Sequence, residues 1–267
     1  MHSINDALSV LAPDWSLDEV EVIEFLEGGY SNSNYFIRYS SREFVVRIPG
    51  RAQPFVDRAH EELWLENLPA GISAQLMGFD QGTGAMLSQW VEGTLLVDWW
   101  ASREPAQLVT FLADLHSQLP DAHRTYDLEA LVAAYGVNDF MPMRTNGAVT
   151  TCHNDLNPWN IIVTKKGWVT LDWEFVGRND PIFDLVGLHQ GLGLPEHELV
   201  PLSRSYLHMR GPYFEENLEV RLAACLHNYW LREYAWAVDQ LLRGNERIEV
   251  SNQRHTALKK LRTLAMA

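Results

Sequence analysis

The apolar positions of this chain first recur mainly at strand spacing and later at helical spacing. Ile4, Leu8 and Leu11 predict a short amphipathic helix over residues 3–11, closed by Pro13. Two strand-like runs follow, Val20–Leu26 and Tyr35–Tyr39, separated by the glycine- and turn-rich stretch EGGYSNSN. A third, Phe44–Ile48, reads FVVRI and stops at Pro49-Gly50. Residues 57–68 read as a helix with Leu65 and Leu68 on its apolar face. Gln75–Phe79 and Ala85–Val91 read as two more strands around the turn DQGTG. From about residue 93 the pattern changes. Leu108, Phe111, Leu112 and Leu115 mark a strong amphipathic helix over 105–118, with Pro105 in its first turn. Short strands are expected at 148–152, 161–164 and 168–172 around a polar loop, and residues 181–267 read as mostly helical. The chain is therefore expected to be α+β. A β-rich N-terminal lobe (1–90) leads through a connector at 88–93 to a mainly helical C-terminal lobe (91–267).

Composition narrows the function classes. Apolar residues at 46% and charged residues at 21% are those of a globular protein rather than a disordered one. No apolar run approaches the roughly 20 residues of a membrane span. The first ten residues contain no Lys, Arg or apolar core of a signal peptide, so a cytoplasmic location is the expectation. Two cysteines, Cys152 and Cys225, suggest buried reduced thiols and no disulfide framework. A net charge of −14 without a Lys/Arg cluster speaks against a nucleic-acid partner and suits a neutral or cationic small molecule. Oligomeric state is not legible here.

Chemistry concentrates in TCHNDLNPWNIIVTKKGWVTLDWEF. His153-x-Asp155 is followed by Asn160, and Asp172 lies twelve residues further on, after the apolar run Trp168–Leu171. Phosphoryl transfer needs a carboxylate to orient an attacking hydroxyl, and hard oxygen ligands to hold Mg²⁺ on nucleotide phosphates. A turn-rich loop carrying Asp155 and Asn160, with Asp172 leaving the next hairpin, offers those groups.

This segment resembles the catalytic region of the aminoglycoside phosphotransferase / choline kinase superfamily, which shares the protein-kinase fold; HNDLNPWNII, LDWEF and DPIFDL carry the likeness. The resemblance implies that Asp155 is the catalytic base, that Asn160 and Asp172 bind Mg²⁺, and that His153 supports the loop. It also implies that Asp184 braces the loop from the following helix. EGGYSNSNYFI is similar to the family's nucleotide loop, with Gly28, Gly29, Ser31 and Asn32 at the matching positions. Arg47, on the third strand, takes the place of the cation that binds ATP phosphates. Its carboxylate partner is expected on the next helix, at Glu61 or its neighbour Glu62. The connector SQWVEG resembles the hinge, so adenine is expected against the backbone near Ser88, Gln89 and Trp90.

For the acceptor, HNYWLREYAW places Trp230, Glu233 and Tyr234 on one helical face. Aromatic rings with a carboxylate suit an ammonium group; the same side chains equally fit ordinary helix packing. Glu174, in DWEF, resembles the acidic residue of choline and thiamine kinases and would add negative charge near the substrate. The expected function is ATP- and Mg²⁺-dependent phosphorylation of a small cationic alcohol, choline-like first and thiamine close behind. Bacterial choline/ethanolamine and thiamine kinases are the nearest in kind. The alternatives are an aminoglycoside or sugar kinase, and a non-catalytic nucleotide-binding pseudokinase.

Overall fold

The computed structural model describes residues 3–26, 32–50, 53, 55–101, 104–145, 147–211 and 217–265. In chain order the first elements are α1 (Ile4–Leu11), β1 (Glu21–Leu26), β2 (Asn32–Tyr39), β3 (Arg42–Pro49), α2 (Arg58–Asn67), β4 (Leu76–Asp80), β5 (Ala85–Gln89), β6 (Thr94–Leu95) and α3 (Leu96–Trp99). Then come α4 (Ala106–Gln118), α5 (Leu128–Ala134), β7 (Thr150–Cys152), β8 (Ile161–Thr164), β9 (Gly167–Thr170), β10 (Gly177–Asn179), α6 (Ile182–Gly191), α7 (Glu196–Arg210), α8 (Leu218–Leu242) and α9 (Ile248–Leu264). The α+β order expected from the sequence is the order observed.

These elements form two compact units, one of residues 1–99 with 159–174, the other of 100–158 with 175–267. The division differs from the expected 1–90 and 91–267. The cause is pairing that reaches back along the chain. In the first unit β6 pairs with β8 (Thr94↔Val163, Leu95↔Ile162), and both the amide and the hydroxyl of Thr170 donate to the Ile72 carbonyl, at 2.8 and 2.7 Å. The connector and the later hairpin therefore belong to the first unit, whose larger sheet is five-stranded.

That sheet is antiparallel, in the order β1-β2-β3-β5-β4. In β3 the two-residue period sends Phe44, Val46 and Ile48 into a core with Leu8 and Leu11 of α1. Arg47 falls on the opposite face. A capping box of Ser3 and Asp6 starts α1. On α2 the buried residues are Glu61 and Trp64, whereas Leu65 and Leu68 are only half-buried. A charged residue thus takes the centre of the face expected to be led by leucines.

In the second unit β7 and β10 pair antiparallel (Gly177↔Cys152), and helices α4 and α6–α9 supply the core, with Leu112, Leu185, Leu231 and Ala235 fully buried. No described helix is long and apolar enough to cross a membrane.

Candidate active site

In the first unit a buried charge cluster surrounds Arg47. Its Nη1 lies 2.7 Å from Glu61 Oε1 and 3.1 Å from Asp172 Oδ1, and Nη2 donates to the Gly84 carbonyl at 3.1 Å. Glu61, not Glu62, is therefore the partner; Glu62 instead accepts from the Gln81 amide. Burial alone would lower the Arg47 pKa, but Glu61 and Asp172 hold the guanidinium charged. A second arginine, Arg58, bridges Glu61 Oε2 at 2.6 Å and Glu174 Oε2 at 2.8 Å. Glu174 also accepts from Gln53 Nε2 at 3.2 Å and is buried. Glu174 thereby bonds Arg58 and Gln53, where the sequence reading had it add negative charge near the substrate. It follows the fully buried Trp173 and is drawn into the same unit's ion network.

Asn160 and Asp172 are brought together by a backbone bond, the Leu171 amide donating to the Asn160 carbonyl at 2.8 Å. Asp172 adopts a left-handed backbone (φ 61°), a conformation that costs energy in a non-glycine residue and is retained where geometry is demanded. Its side chain keeps 28% exposure. Glu61, Asp172 and Glu174 hold carboxylate oxygens within 4.8 Å of one another. Among the described residues, these three carboxylates face two guanidiniums, which leaves one negative charge in excess. Burial first, and the charge of Asp172 next, push the Glu174 pKa up to about 8, so near neutral pH a proton on Glu174 offsets that excess. A carboxylate that reaches solvent, one residue from the Leu171 amide that bonds Asn160, fits a hard divalent cation such as Mg²⁺.

In the second unit the loop after β7 is held from below. Asp184 on α6 accepts the His153 amide on Oδ2 (2.8 Å) and the Asn154 amide on Oδ1 (2.9 Å). His116 on α4 lies 3.1 Å from the same Oδ2 and 2.7 Å from the Tyr206 hydroxyl. Asn154, itself left-handed (φ 64°), donates its side-chain amide to the carbonyls of Cys152, Phe175 and Gly177. The fully buried His153 accepts the Asp155 amide on Nδ1 at 3.3 Å. Gly187 lets the loop rest on α6, since a methyl group there would come within 2.6 Å of the Leu156 carbonyl oxygen.

Asp155 itself is gripped from α8. Arg232 Nη2 lies 2.7 Å from Asp155 Oδ1, and its Nη1 3.0 Å from Glu233 Oε1. Glu233 Oε2 accepts from Gln253 Nε2 of α9 at 2.7 Å, and burial raises the Glu233 pKa. The predicted aromatic face is covered by α9: Lys260 lies over Trp230 at 5.9 Å and Arg254 over Tyr234 at 6.0 Å. Trp230, Glu233 and Tyr234 thus pack between two helices, so the shared face does not form an ammonium cage. Spacing identified that face but not the helix that would cover it.

Two more expectations change at the connector. The amides of Gln89 and Trp90, expected to face adenine, donate to the carbonyls of Gln75 (2.9 Å) and Glu43 (3.0 Å). Ser88 is buried inside the sheet, paired with Val45. This pairing lies within the strand expected over Ala85–Val91, which here ends at Gln89. Asn32 opens β2 opposite Pro49; Gly28, Gly29 and Ser31 lie outside the described residues. The sequence reading passed over Arg58, His116 and Arg232. Arg58 had a signal, its i,i+3 spacing to Glu61. Arg232 had none, because its partner is 77 positions away.

LicA of Haemophilus influenzae is 24% identical over 220 residues, covering 72% of this chain and 65% of that protein, so the chain spans less than two thirds of its length. The choline kinase LicA from Streptococcus pneumoniae superposes with a TM-score of 0.75 at 20% identity, over 97% of this chain and 98% of that one. A choline/ethanolamine kinase family protein from Mesorhizobium loti gives 0.73 at 21% identity, over 98% and 94%. The model of the phosphotransferase enzyme family matches residues 22–139 and 125–216. With most of its length so matched, the chain belongs to the phosphotransferase enzyme family.

Proposed function

We propose that this protein is an ATP- and Mg²⁺-dependent kinase that moves the terminal phosphoryl group onto the hydroxyl of a small alcohol. The observation that carries the reading is Arg47 gripped by Glu61 and Asp172 at 2.7 and 3.1 Å. An arginine so oriented is a permanent charge for the ATP phosphates, and its forked guanidinium suits two oxygens at once. In this reading Asn160 and Asp172 hold the metal, which neutralises charge on the phosphates when bound. Asp155 orients the acceptor hydroxyl and takes its proton as the oxygen attacks. His153 and Asp184 keep the loop's backbone in place. Adenine meets the connector beyond Trp90, where strand pairing ends.

For the acceptor we favour a cationic alcohol, choline-like first and thiamine-like next. The chain's net charge of −14 suits a cationic rather than an anionic acceptor. The likeness to LicA supports the same class. A cytoplasmic location, with its ATP supply, fits this chemistry.

ATP-dependent turnover of a panel containing choline, ethanolamine, thiamine, a neutral hexose and an aminoglycoside tests the proposal. Turnover of the first three above the others is expected. Activity confined to the hexose would remove the cationic acceptor, and no nucleotide binding at all would remove the kinase.

A further inference from the structure

We infer that Arg232 is a positioning residue for Asp155, and that Glu233 and Gln253 carry the same brace to α9; the inference rests on the reading of Asp155 as the base. The geometry is a chain of contacts: Gln253 to Glu233 at 2.7 Å, Glu233 to Arg232 at 3.0 Å, Arg232 to Asp155 at 2.7 Å. The guanidinium also lies over the Phe175 ring, 5.2 Å from its centroid. All four residues belong to the second unit.

A buried guanidinium is costly unless its donors are satisfied. Arg232 keeps 11% side-chain exposure and satisfies the requirement with two carboxylates and an aromatic face. Only a forked cation reaches both carboxylates at once; a lysine ammonium is a single point. The effect falls on Asp155 because of where that residue lies. It is in neither a helix nor a strand. The Asn157 amide reaches the same Oδ1, but at 3.3 Å. Arg232 makes the shorter, charge-assisted contact and so sets the rotation of the carboxylate. A base out of position by about 1 Å loses roughly 10²-fold in rate. α8 and α9 both follow the last residue matched by the family model, 216.

The test uses the full chain carrying Arg232→Lys, Arg232→Met, Gln253→Leu, Asp155→Asn and the double variant Asp155→Asn/Arg232→Lys. With the best acceptor of the panel, Arg232→Met should lower kcat by about 10²-fold and Arg232→Lys by about 10-fold, with the KM for ATP unchanged. Gln253→Leu, two contacts away, should lower kcat by a few-fold and covers the case in which Arg232→Met does not fold. In the Asp155→Asn background, Arg232→Lys should cost nothing more, because it acts through the group already removed. Wild-type kcat in both Arg232 variants, or losses that multiply in the double variant, would overturn the brace while leaving the base intact. Wild-type turnover by Asp155→Asn would instead overturn the base. If no acceptor on the panel reacts, thermal unfolding of wild type, both single variants and the double variant decides. Non-additive losses of Tm support the pair and additive losses overturn it.

Discussion

Asp180 and Arg221 meet one to one in the second unit, with Nε 2.7 Å from Oδ2 and Nη2 2.8 Å from Oδ1, both side chains fully buried. Arg47 and Arg58 of the first unit face three carboxylates, and the best-exposed of these is Asp172. The first arrangement pairs one charge with one complement among the described residues. The second sets three carboxylates against two guanidiniums, an excess that a proton on Glu174 or a divalent cation at Asp172 would offset. Arg232 shows the same imbalance, between Asp155 and Glu233. Charge imbalance among buried groups therefore follows the proposed site residues, whereas balanced pairing marks support.

The largest effect should come from the unbalanced set around Arg232. Asp155→Asn keeps the shape of the side chain and removes the base, so kcat should fall by about 10²–10⁴-fold. ATP binding, measured by direct titration, should survive. Near-normal turnover would strip Asp155 of its assigned role. The balanced pair should respond in the opposite manner. Arg221→Met leaves Asp180 buried without its cation and should cost about 3–5 kcal/mol of stability in urea unfolding. Where the variant is still folded, its KM for ATP should match the wild type. A changed KM would mean that the closed pair also serves the site, and the comparison would break.

The surplus around Arg47 gives a smaller, reversible effect. Mg²⁺ binds the folded chain only, so a hundredfold excess over Kd should add about 2.7 kcal/mol of stability. That gain should largely vanish in Asp172→Asn, which removes the solvent-reaching carboxylate. An equal gain in both proteins would place the cation elsewhere.

How much of this was legible beforehand depends on the distance between partners. The FVVRI alternation sends Arg47 away from the α1 core, and His153, Asp155, Asn160 and Asp172 form a local motif that spacing alone reveals. Glu174 was read from the DWEF likeness, which does not show the arginine that claims it. The lobe boundary was misplaced because β6 and β8 pair across some 65 residues. The Trp230–Tyr234 face was correctly grouped by helical period, yet the period says nothing about the α9 side chains that cover it. Partners fixed by packing between distant elements leave no periodic trace.

The sharpest contrast lies between adjacent residues. Glu61 and Glu62 follow one another on α2, and sequence favoured Glu61 for Arg47 without settling the choice. Glu61 is fully buried and accepts ion pairs from Arg47 and Arg58 at 2.7 and 2.6 Å. Glu62 is half-buried and bonds the exposed Gln81 amide. Removing Glu61 takes the shortest ion pair from each of two arginines, leaving Arg47 with Asp172 and Arg58 with Glu174, whereas removing Glu62 exposes one amide to water, which satisfies it. Glu62→Ala should therefore change stability by no more than about 0.5 kcal/mol, the range of ordinary surface substitutions, and should leave the KM for ATP alone. Glu61→Ala, under the same denaturant titration, should lose about 3–5 kcal/mol. If the two substitutions cost alike, the Arg47 cluster is not held by Glu61, and the orientation of its guanidinium toward nucleotide phosphates has another source.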